Sequence, residues 1–188
     1  YHLCRHAFAH TNPPLFPSPK RVADYFPTLV NSIVSQQIST KAAAAIFKRL
    51  NEAVTVTPEG VQSTSEETIR RCGVTKQKTR YISQLAQNWS DLHAENFTCS
   101  CDAEIIARLR ACYGIGTWTA EMFLLFAMAR SDVFSVGDLG LRQQVSRHYD
   151  VAPTDYAAIK NLTTYWSPYR SIASLVLWHE IDNGPVLL

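Results

Sequence analysis

Residues 109–120 read Leu-Arg-Ala-Cys-Tyr-Gly-Ile-Gly-Thr-Trp-Thr-Ala, and the sequence on both sides of them has a helical pattern. Two glycines flank one apolar residue, Ile115. A turn this tight between two helices needs backbone conformations that glycine adopts most readily. The N–H groups at the start of the second helix then lie beside a bare backbone, which is an arrangement that binds phosphate. An ordinary helix–helix turn is the alternative interpretation.

On both sides of this hairpin, the chain has the pattern of an all-α protein. No stretch shows the sustained alternation of a strand, and helix start and stop signals predict roughly eight to ten helices. We expect one domain over residues 1–188, including an irregular segment at 1–24. The predicted helix starts include Pro27, Thr40 after a Ser39 cap, the Ser63–Glu67 stretch, Thr75, Asp102, Asp138 and Ser167-Pro168, and the helix after the hairpin should reach about Ala129.

Composition excludes several classes of protein. The 188 residues are 46% hydrophobic and 18% charged, which is typical of a globular chain rather than a disordered or coiled-coil one. The net charge is only +2, but residues 1–90 carry 11 basic and 5 acidic side chains, whereas residues 91–188 carry 7 and 11. The densest basic cluster contains Arg70, Arg71, Lys76, Lys78 and Arg80. This cluster either contacts phosphates, with Lys41 as a further phosphate-contact candidate, or forms a solvated helix face.

Membrane and metal sites are not expected. No apolar run reaches the about 18 residues of a membrane span. The five cysteines form no CxxC pair, and no histidine pair has helical ligand spacing. We therefore predict reduced thiols in an intracellular protein, most of them packed in the core.

Three further stretches accompany the hairpin in a fixed order: Ile33–Ser39 before it, then Val133–Asp138, then Trp166–Ser171 followed by Trp178. Together they resemble the helix–hairpin–helix superfamily of DNA glycosylases, and within it 3-methyladenine DNA glycosylase II, over about residues 25–182. The resemblance implies a two-lobed helical fold with the active site between the lobes. Within this family, the chain resembles the compact members that lack an N-terminal α/β lobe.

The resemblance implies that Asp138 is the catalytic residue. A carboxylate held near the sugar would stabilise the positive charge that develops as the glycosidic bond breaks, and would orient or deprotonate a water. Asp138 also precedes an amphipathic helix, and aspartate is a preferred helix cap. From the residues alone, a purely capping role is the alternative.

Two tryptophans match base-pocket positions of the family, Trp118 and Trp178. Alkylated purines carry a positive charge, which an indole face attracts. In the bifunctional members a lysine that forms a Schiff base occupies the position of Trp118, so this chain is expected to use water instead. Without the resemblance, an apolar helical tryptophan is more typical of a core.

The resemblance also implies the DNA contacts. Gln37 matches the residue that fills the gap left by a flipped base, although the two-part bacterial enzymes have an apolar side chain there. A solvated helix end is the alternative for Gln37. The hairpin residues expected to contact DNA are Gly114, Ile115, Gly116 and Thr119. No cofactor is expected apart from a structural monovalent cation at the hairpin carbonyls.

These observations predict a monofunctional DNA glycosylase that excises alkylated purines such as 3-methyladenine and 7-methylguanine in base excision repair. A superfamily glycosylase for another lesion and a non-catalytic helix–hairpin–helix module are the alternatives, and a helical protein-interaction domain would need neither the hairpin glycines nor Asp138. The expected partner is double-stranded DNA with alkylated bases. We expect a monomer, located in the nucleus of a eukaryote or the cytoplasm of a bacterium.

Overall fold

The structure is a computed structural model that describes residues 16–183. Helices, turns and irregular segments account for all of these residues, and none of them forms a strand. Ten α-helices follow in chain order: α1 Tyr25–Ser35, α2 Thr40–Ala53, α3 Pro58–Gln62, α4 Glu66–Arg71, α5 Lys76–Gln87, α6 Asp102–Arg110, α7 Thr117–Phe126, α8 Leu139–His148, α9 Tyr156–Thr164 and α10 Arg170–Asn183. Short 3₁₀ helices occupy Val22–Asp24, Ser90–Leu92 and Ala94–Cys99. The all-α prediction is confirmed.

Several helices begin at the caps that the sequence indicates. The side chains of Ser39, Ser65 and Thr75 accept hydrogen bonds from backbone N–H groups three residues later, and they cap α2, α4 and α5. The start predicted at Pro27 is wrong by two residues, because α1 begins at Tyr25. Pro27 still lies in the first turn of α1, where a missing N–H removes no helical hydrogen bond.

Helices α3 and α9 are not predicted from the sequence, and α7 is shorter than predicted. Helix α9 is capped by Asp155, whose carboxylate accepts a backbone N–H at 2.9 Å, and its buried residues are only Ile159 and Thr163. Two buried positions give a weak helical period. Helix α7 ends at Phe126, three residues before Ala129, whose φ of +52° does not continue a right-handed helix.

The first of two compact units, Pro19–Phe123, has its core around α1. The rings of Tyr25 and Phe123 meet edge to face with centroids 5.0 Å apart, and Phe97 lies 6.0 Å from Phe123. Burial of each large apolar side chain contributes about 1.5–3 kcal/mol to folding. The apolar core thereby holds in place the helices that lead into and out of the hairpin.

Within the described residues, the second unit contains residues 16–18 and the chain from Leu124 onward. Its core comes from the loop before α8 and from α8, α9 and α10: Phe134, Leu141, Val145, Ile159 and Leu177. Trp166 and Trp178 pack against this core and remain partly exposed. The helix that follows Asp138 therefore packs in the same core as the helix that carries Trp178.

The cysteines differ from the expectation in their burial. Cys72 is buried and Cys112 is partly buried, where burial raises the pKa of its thiol. Cys99 and Cys101 are exposed, because they lie in the connection between a 3₁₀ helix and α6. The prediction that most cysteines fill the core is therefore wrong for the described ones, while Cys4 lies outside the described residues.

No helix in residues 16–183 combines the length and the apolar character that crossing a membrane requires.

Candidate functional site

The two hairpin glycines have different environments. Gly114 has a φ of +86°, and a Cβ built on it would lie 2.2 Å from the ring of Tyr81. Both the backbone conformation and the packing therefore require glycine at this position. A Cβ built on Gly116 meets no described heavy atom within 4 Å. Since no internal contact requires glycine there, the bare backbone at Gly116 is available to an external group.

The start of α7 supplies backbone donors beside Gly116. The first helical hydrogen bond runs from the N–H of Ala120 to the carbonyl of Gly116, at 3.1 Å. Residues 117–119 precede this bond, and the N–H groups of a helix's first turn point out of its N-terminal end. Together with the helix dipole, such groups attract an anion such as phosphate.

Ile115 and Thr119, two of the residues predicted to contact DNA, have buried side chains, and their contacts with DNA stay predictions. The side chain of Ile115 is 5% exposed, and its N–H donates to the carbonyl of Cys112 at 3.1 Å. Ile115 therefore shapes the turn from inside. Thr119 is 2% exposed, so its side chain is also unable to reach DNA, and its backbone N–H is the group that remains for a phosphate.

The turn between α1 and α2 is joined to the hairpin by Gln36. Its side-chain amide donates to the carbonyl of Gly114 at 3.0 Å and to the hydroxyl of Thr119 at 3.2 Å. Gln37, the predicted gap-filling residue, is exposed and has an uncommon φ of +58°. The role of Gln36 is not visible in the sequence, because its partners lie about eighty residues away in the chain.

Lys78 holds the same turn from the other side. Its ammonium donates to the carbonyls of Val34 and Gln36 at 2.7 and 2.6 Å, at the C-terminal end of α1. A cation there also complements the helix dipole. Burial lowers the pKa of Lys78 below its ordinary value. Lys78 is thus a structural member of the basic cluster rather than a ready phosphate contact.

The other members of the basic cluster, together with Lys41, differ in their pairing. Arg71 forms an ion pair with Glu67 at 2.7 Å. The others are exposed and form no ion pair with any described residue: Lys41, Arg70, Lys76 and Arg80. These four cations are the phosphate-contact candidates that the structure leaves.

Asp138 is the N-cap of α8, and its position is fixed by two donors. Its Oδ1 accepts from the N–H of Leu141 at 2.9 Å and from the indole Nε1–H of Trp178 at 3.4 Å. A Cβ on Gly140 would lie 3.2 Å from that oxygen and 2.9 Å from Cδ1 of Ile181, so glycine preserves the space beside the carboxylate. Asp138 therefore caps the helix, and the cap holds its negative charge at one place.

An aromatic pair lies next to this carboxylate. The ring of Trp178 stacks on Phe126 with centroids 5.9 Å apart and an interplanar angle of 25°. Trp178 is half-buried, and Phe126 is 38% exposed. Phe126 was not predicted from the sequence as a site residue, because a phenylalanine in an apolar helix is typical of a core. Trp118 is half-buried in the first turn of α7 and belongs to the other unit.

Two buried serines of α10 fix the loop that leads to Asp138. The Ser171 hydroxyl donates to the carbonyl of Arg130 at 2.6 Å and accepts from the N–H of Val133 at 2.9 Å. Ser174 donates to the carbonyl of Val133 at 3.2 Å. Both serines have no exposed surface. The Trp166–Ser171 motif thus acts on the candidate catalytic residue through the loop backbone.

Two arginines complete the support of this loop. Arg170 donates from Nε to Asp132 Oδ1 at 2.7 Å and from its terminal nitrogen to Oδ2 at 3.0 Å. These hydrogen bonds hold the pKa of Asp132 below its ordinary value. Arg142, which is 9% exposed, donates to the carbonyl of Val136 at 3.1 Å and lies 4.4 Å from the ring centre of Tyr156.

Metal-ligating side chains are not clustered in residues 16–183. No group of three or more His, Cys, Asp or Glu side chains in that range could hold an ion. The cofactor expectation, including the monovalent cation at the hairpin carbonyls, stays a prediction.

Comparison with known proteins identifies the superfamily that contains this hairpin and Asp138 loop. Residues 30–168 match the model of the HhH-GPD superfamily of base excision DNA repair proteins. The chain belongs to this superfamily. DNA-3-methyladenine glycosylase 1 of Schizosaccharomyces pombe is 32% identical over 162 residues, which are 80% of this chain and 69% of the relative.

Two solved structures of the superfamily resemble the fold. A DNA-3-methyladenine glycosidase from Bacillus halodurans is 32% identical, with a TM-score of 0.79 over 96% of this chain and 84% of its own. The Schizosaccharomyces pombe 3-methyladenine DNA glycosylase in complex with abasic DNA is 27% identical, with a TM-score of 0.83 over 100% of this chain and 92% of its own. The family resemblance and the helical glycosylase fold expected from the motifs are confirmed.

Proposed function

We propose that this protein is a DNA glycosylase that excises alkylated purines by hydrolysis in base excision repair. Membership of the HhH-GPD superfamily and likeness to proteins named 3-methyladenine glycosylases support this function. The observation that carries the proposal is the Asp138 carboxylate, held by the α8 cap and by the indole N–H of Trp178.

The chemistry needs a fixed negative charge near the sugar. The target nucleotide must leave the stack before its base can be excised. As the bond between C1′ and the base nitrogen breaks, the bonding electrons leave with the base and positive charge develops on the deoxyribose. Asp138 stabilises that charge, and it orients the water that adds to C1′ and accepts a proton from it.

The aromatic side chains suit a cationic base. Purines such as 3-methyladenine and 7-methylguanine carry a positive charge in DNA, and the faces of Trp178 and Trp118 attract such rings by stacking and cation–π interaction. Phe126 stacks on Trp178 and supports the orientation of its ring. Because an alkylated purine already carries a positive charge, it leaves readily and needs little protonation by the enzyme.

The proposed reaction has no lyase step. A lyase of this superfamily uses a lysine where this chain has Trp118, and an indole cannot form a Schiff base with the sugar. The product should therefore be an intact abasic site. This corresponds to an enzyme of the DNA-3-methyladenine glycosylase II type.

DNA binding is assigned to the first unit. The N–H groups around Gly116 and the start of α7 would hold a phosphate, and the exposed side chain of Gln37 would fill the gap left by the flipped base. The proposed partner is an alkylated duplex bound by a monomer. Nuclear or bacterial cytoplasmic location and the hairpin cation remain expectations that accompany this function.

Base release from methylated duplex DNA tests the function. After incubation with the wild-type protein, the freed bases are separated by chromatography and identified, with an unmethylated duplex as the control. The proposal expects release of 3-methyladenine and 7-methylguanine from the methylated duplex. Release of a different lesion from a panel of damaged duplexes would assign another member of the superfamily, and DNA binding without base release would identify a non-catalytic module.

A further inference from the structure

A cationic and aromatic groove lies beside the hairpin, on the same unit. It has a volume of about 340 Å³ and is lined by Lys76, Gln77, Arg80, Tyr81 and Tyr113. Lys76 and Arg80 are four residues apart at the start of α5, so they lie on one face of that helix. Tyr113 is 58% exposed, and its ring meets Tyr81 edge to face with centroids 5.0 Å apart.

The two cations of the groove have no internal counter-charge. Neither Lys76 nor Arg80 forms an ion pair within the part of the chain that the structure describes. No acidic residue occurs between Arg70 and Arg80 in the sequence. Like charges at this spacing repel each other. A ligand that brings negative charge to the groove would remove that repulsion.

The groove is built from the same residues that shape the hairpin. Tyr81 fills the space that a side chain at Gly114 would need, and it is hydrogen-bonded to Gln77. Tyr113 lies three residues before Gly116, where the proposed phosphate site begins, so at most about 11 Å of chain separates the groove from that site. The phosphates of one DNA strand recur about every 3.4 Å along the helix axis. A strand held at the hairpin therefore has further phosphates within reach of the groove.

We propose that this groove binds a second segment of DNA backbone, next to the phosphate at the hairpin. Lys76 and Arg80 each pair with a phosphate, and the exposed ring of Tyr113 packs against the sugar between them. The inference rests on the proposed function only in taking DNA as the ligand. It assigns part of the affinity for undamaged duplex to residues outside the hairpin and the Asp138 loop.

The salt dependence of duplex binding tests the groove. The variant Lys76→Ala/Arg80→Ala is compared with wild type by fluorescence anisotropy on an undamaged duplex over a range of salt concentrations. Each lost phosphate contact lowers the slope of log K against log salt by about 1, so the double variant should lose about 2. Its affinity should fall for all sequences alike, since backbone contacts carry no sequence information.

A control variant separates a local contact from net charge. Lys48→Ala/Arg71→Ala removes the same charge from the same unit, but both cations are exposed and already paired, with Glu52 and Glu67. The control should keep the wild-type slope. An unchanged slope in the groove variant, or an equal change in the control, would overturn the proposal. Thermal unfolding monitored by circular dichroism confirms that both variants fold.

Base release distinguishes this proposal from the proposed function. With enzyme too dilute to bind all the DNA, the groove variant should release methylpurines more slowly than wild type because it binds less duplex, and the control Lys48→Ala/Arg71→Ala should release them at the wild-type rate. An equal slowing in both variants would contradict a local contact at the groove. If the wild-type protein releases no methylpurine but the groove variant still loses its salt slope, the proposed function fails while the groove assignment holds.

Discussion

The hairpin and the Asp138 loop are held in place in different ways. The hairpin offers backbone N–H groups, and its shape depends on Gly114, packed against Tyr81, and on Gln36. The Asp138 loop offers a side chain, and α10 fixes the loop through buried side-chain hydroxyls. A phosphate can be bound by backbone alone, whereas a single charge acting on a sugar has to be positioned by a surrounding network. Changes in the hairpin should therefore alter affinity, and changes around Asp138 should alter the rate.

The largest effect is expected from Asp138→Asn. Asparagine is also a good N-cap and can accept the same hydrogen bonds, so the fold should be retained. The negative charge is lost at the step where the sugar becomes cationic, and the rate of base release should fall by about 100-fold or more. Single-turnover release of methylpurines measures this, and binding to abasic DNA should stay close to wild type. Release at the wild-type rate would remove Asp138 from the mechanism.

Substitution of the tryptophans should give the next largest effect. Trp118→Ala and Trp178→Ala should each lose stacking energy of about 1–3 kcal/mol, seen as slower excision of cationic methylpurines with little change in affinity for undamaged duplex. Trp178→Phe keeps a ring and removes the N–H that reaches Asp138, so it separates stacking from hydrogen bonding. Equal losses in excision and in binding of undamaged duplex, or general unfolding, would show that the two tryptophans are core residues and do not bind the base.

The two glycines should respond in opposite ways. Gly114→Ala places a Cβ against Tyr81 in a left-handed conformation and should lower the free energy of unfolding by about 1–3 kcal/mol. Gly116→Asp adds a Cβ that meets no described heavy atom within 4 Å, so stability should change little, while the added side chain and charge repel a phosphate. Urea unfolding and duplex binding of both variants provide the measurement. The comparison fails if Gly116→Asp binds duplex as tightly as wild type.

The smallest effect concerns the support of the Asp138 loop and depends on pH. Because Arg170 lowers the pKa of Asp132 in the folded state, this ion pair stabilises the protein above the unfolded pKa of about 3.9. The contribution is lost as the pH falls through the lower folded pKa. Asp132→Asn should therefore reduce stability by roughly 1 kcal/mol or less at neutral pH. Denaturant unfolding of both proteins should show this difference shrinking below about pH 4, and a constant difference would exclude the pair as its source.

Local signals predicted most of the fold. Caps at Ser39, Ser65 and Thr75 and the hairpin glycines act within a few residues, so the sequence alone indicates the helices that they begin or separate. Helix α9 was not predicted because it buries only two of its nine residues. Its helical period is therefore too weak to be read from the sequence.

The candidate site was predictable where one residue type suffices for the chemistry. Asp138, Trp178 and the glycines were recognised from motifs. Phe126 and Gln36 were not recognised, and Lys78 was taken for a phosphate contact, because each acts through a contact with a residue more than forty positions away. The burial of Thr119 likewise depends on packing that the motif does not record.

Borohydride trapping on a methylated duplex tests whether base release is hydrolytic. In hydrolytic release a carboxylate assists the attack of water, and no imine forms between the enzyme and the sugar. The wild-type protein is incubated with the duplex in the presence and absence of borohydride, and the products are resolved under denaturing conditions. Hydrolytic release predicts free methylpurines, intact abasic strands that break only after alkali or heat, and no covalent protein–DNA adduct. A borohydride-dependent adduct, or strand breaks without alkali or heat, would contradict it.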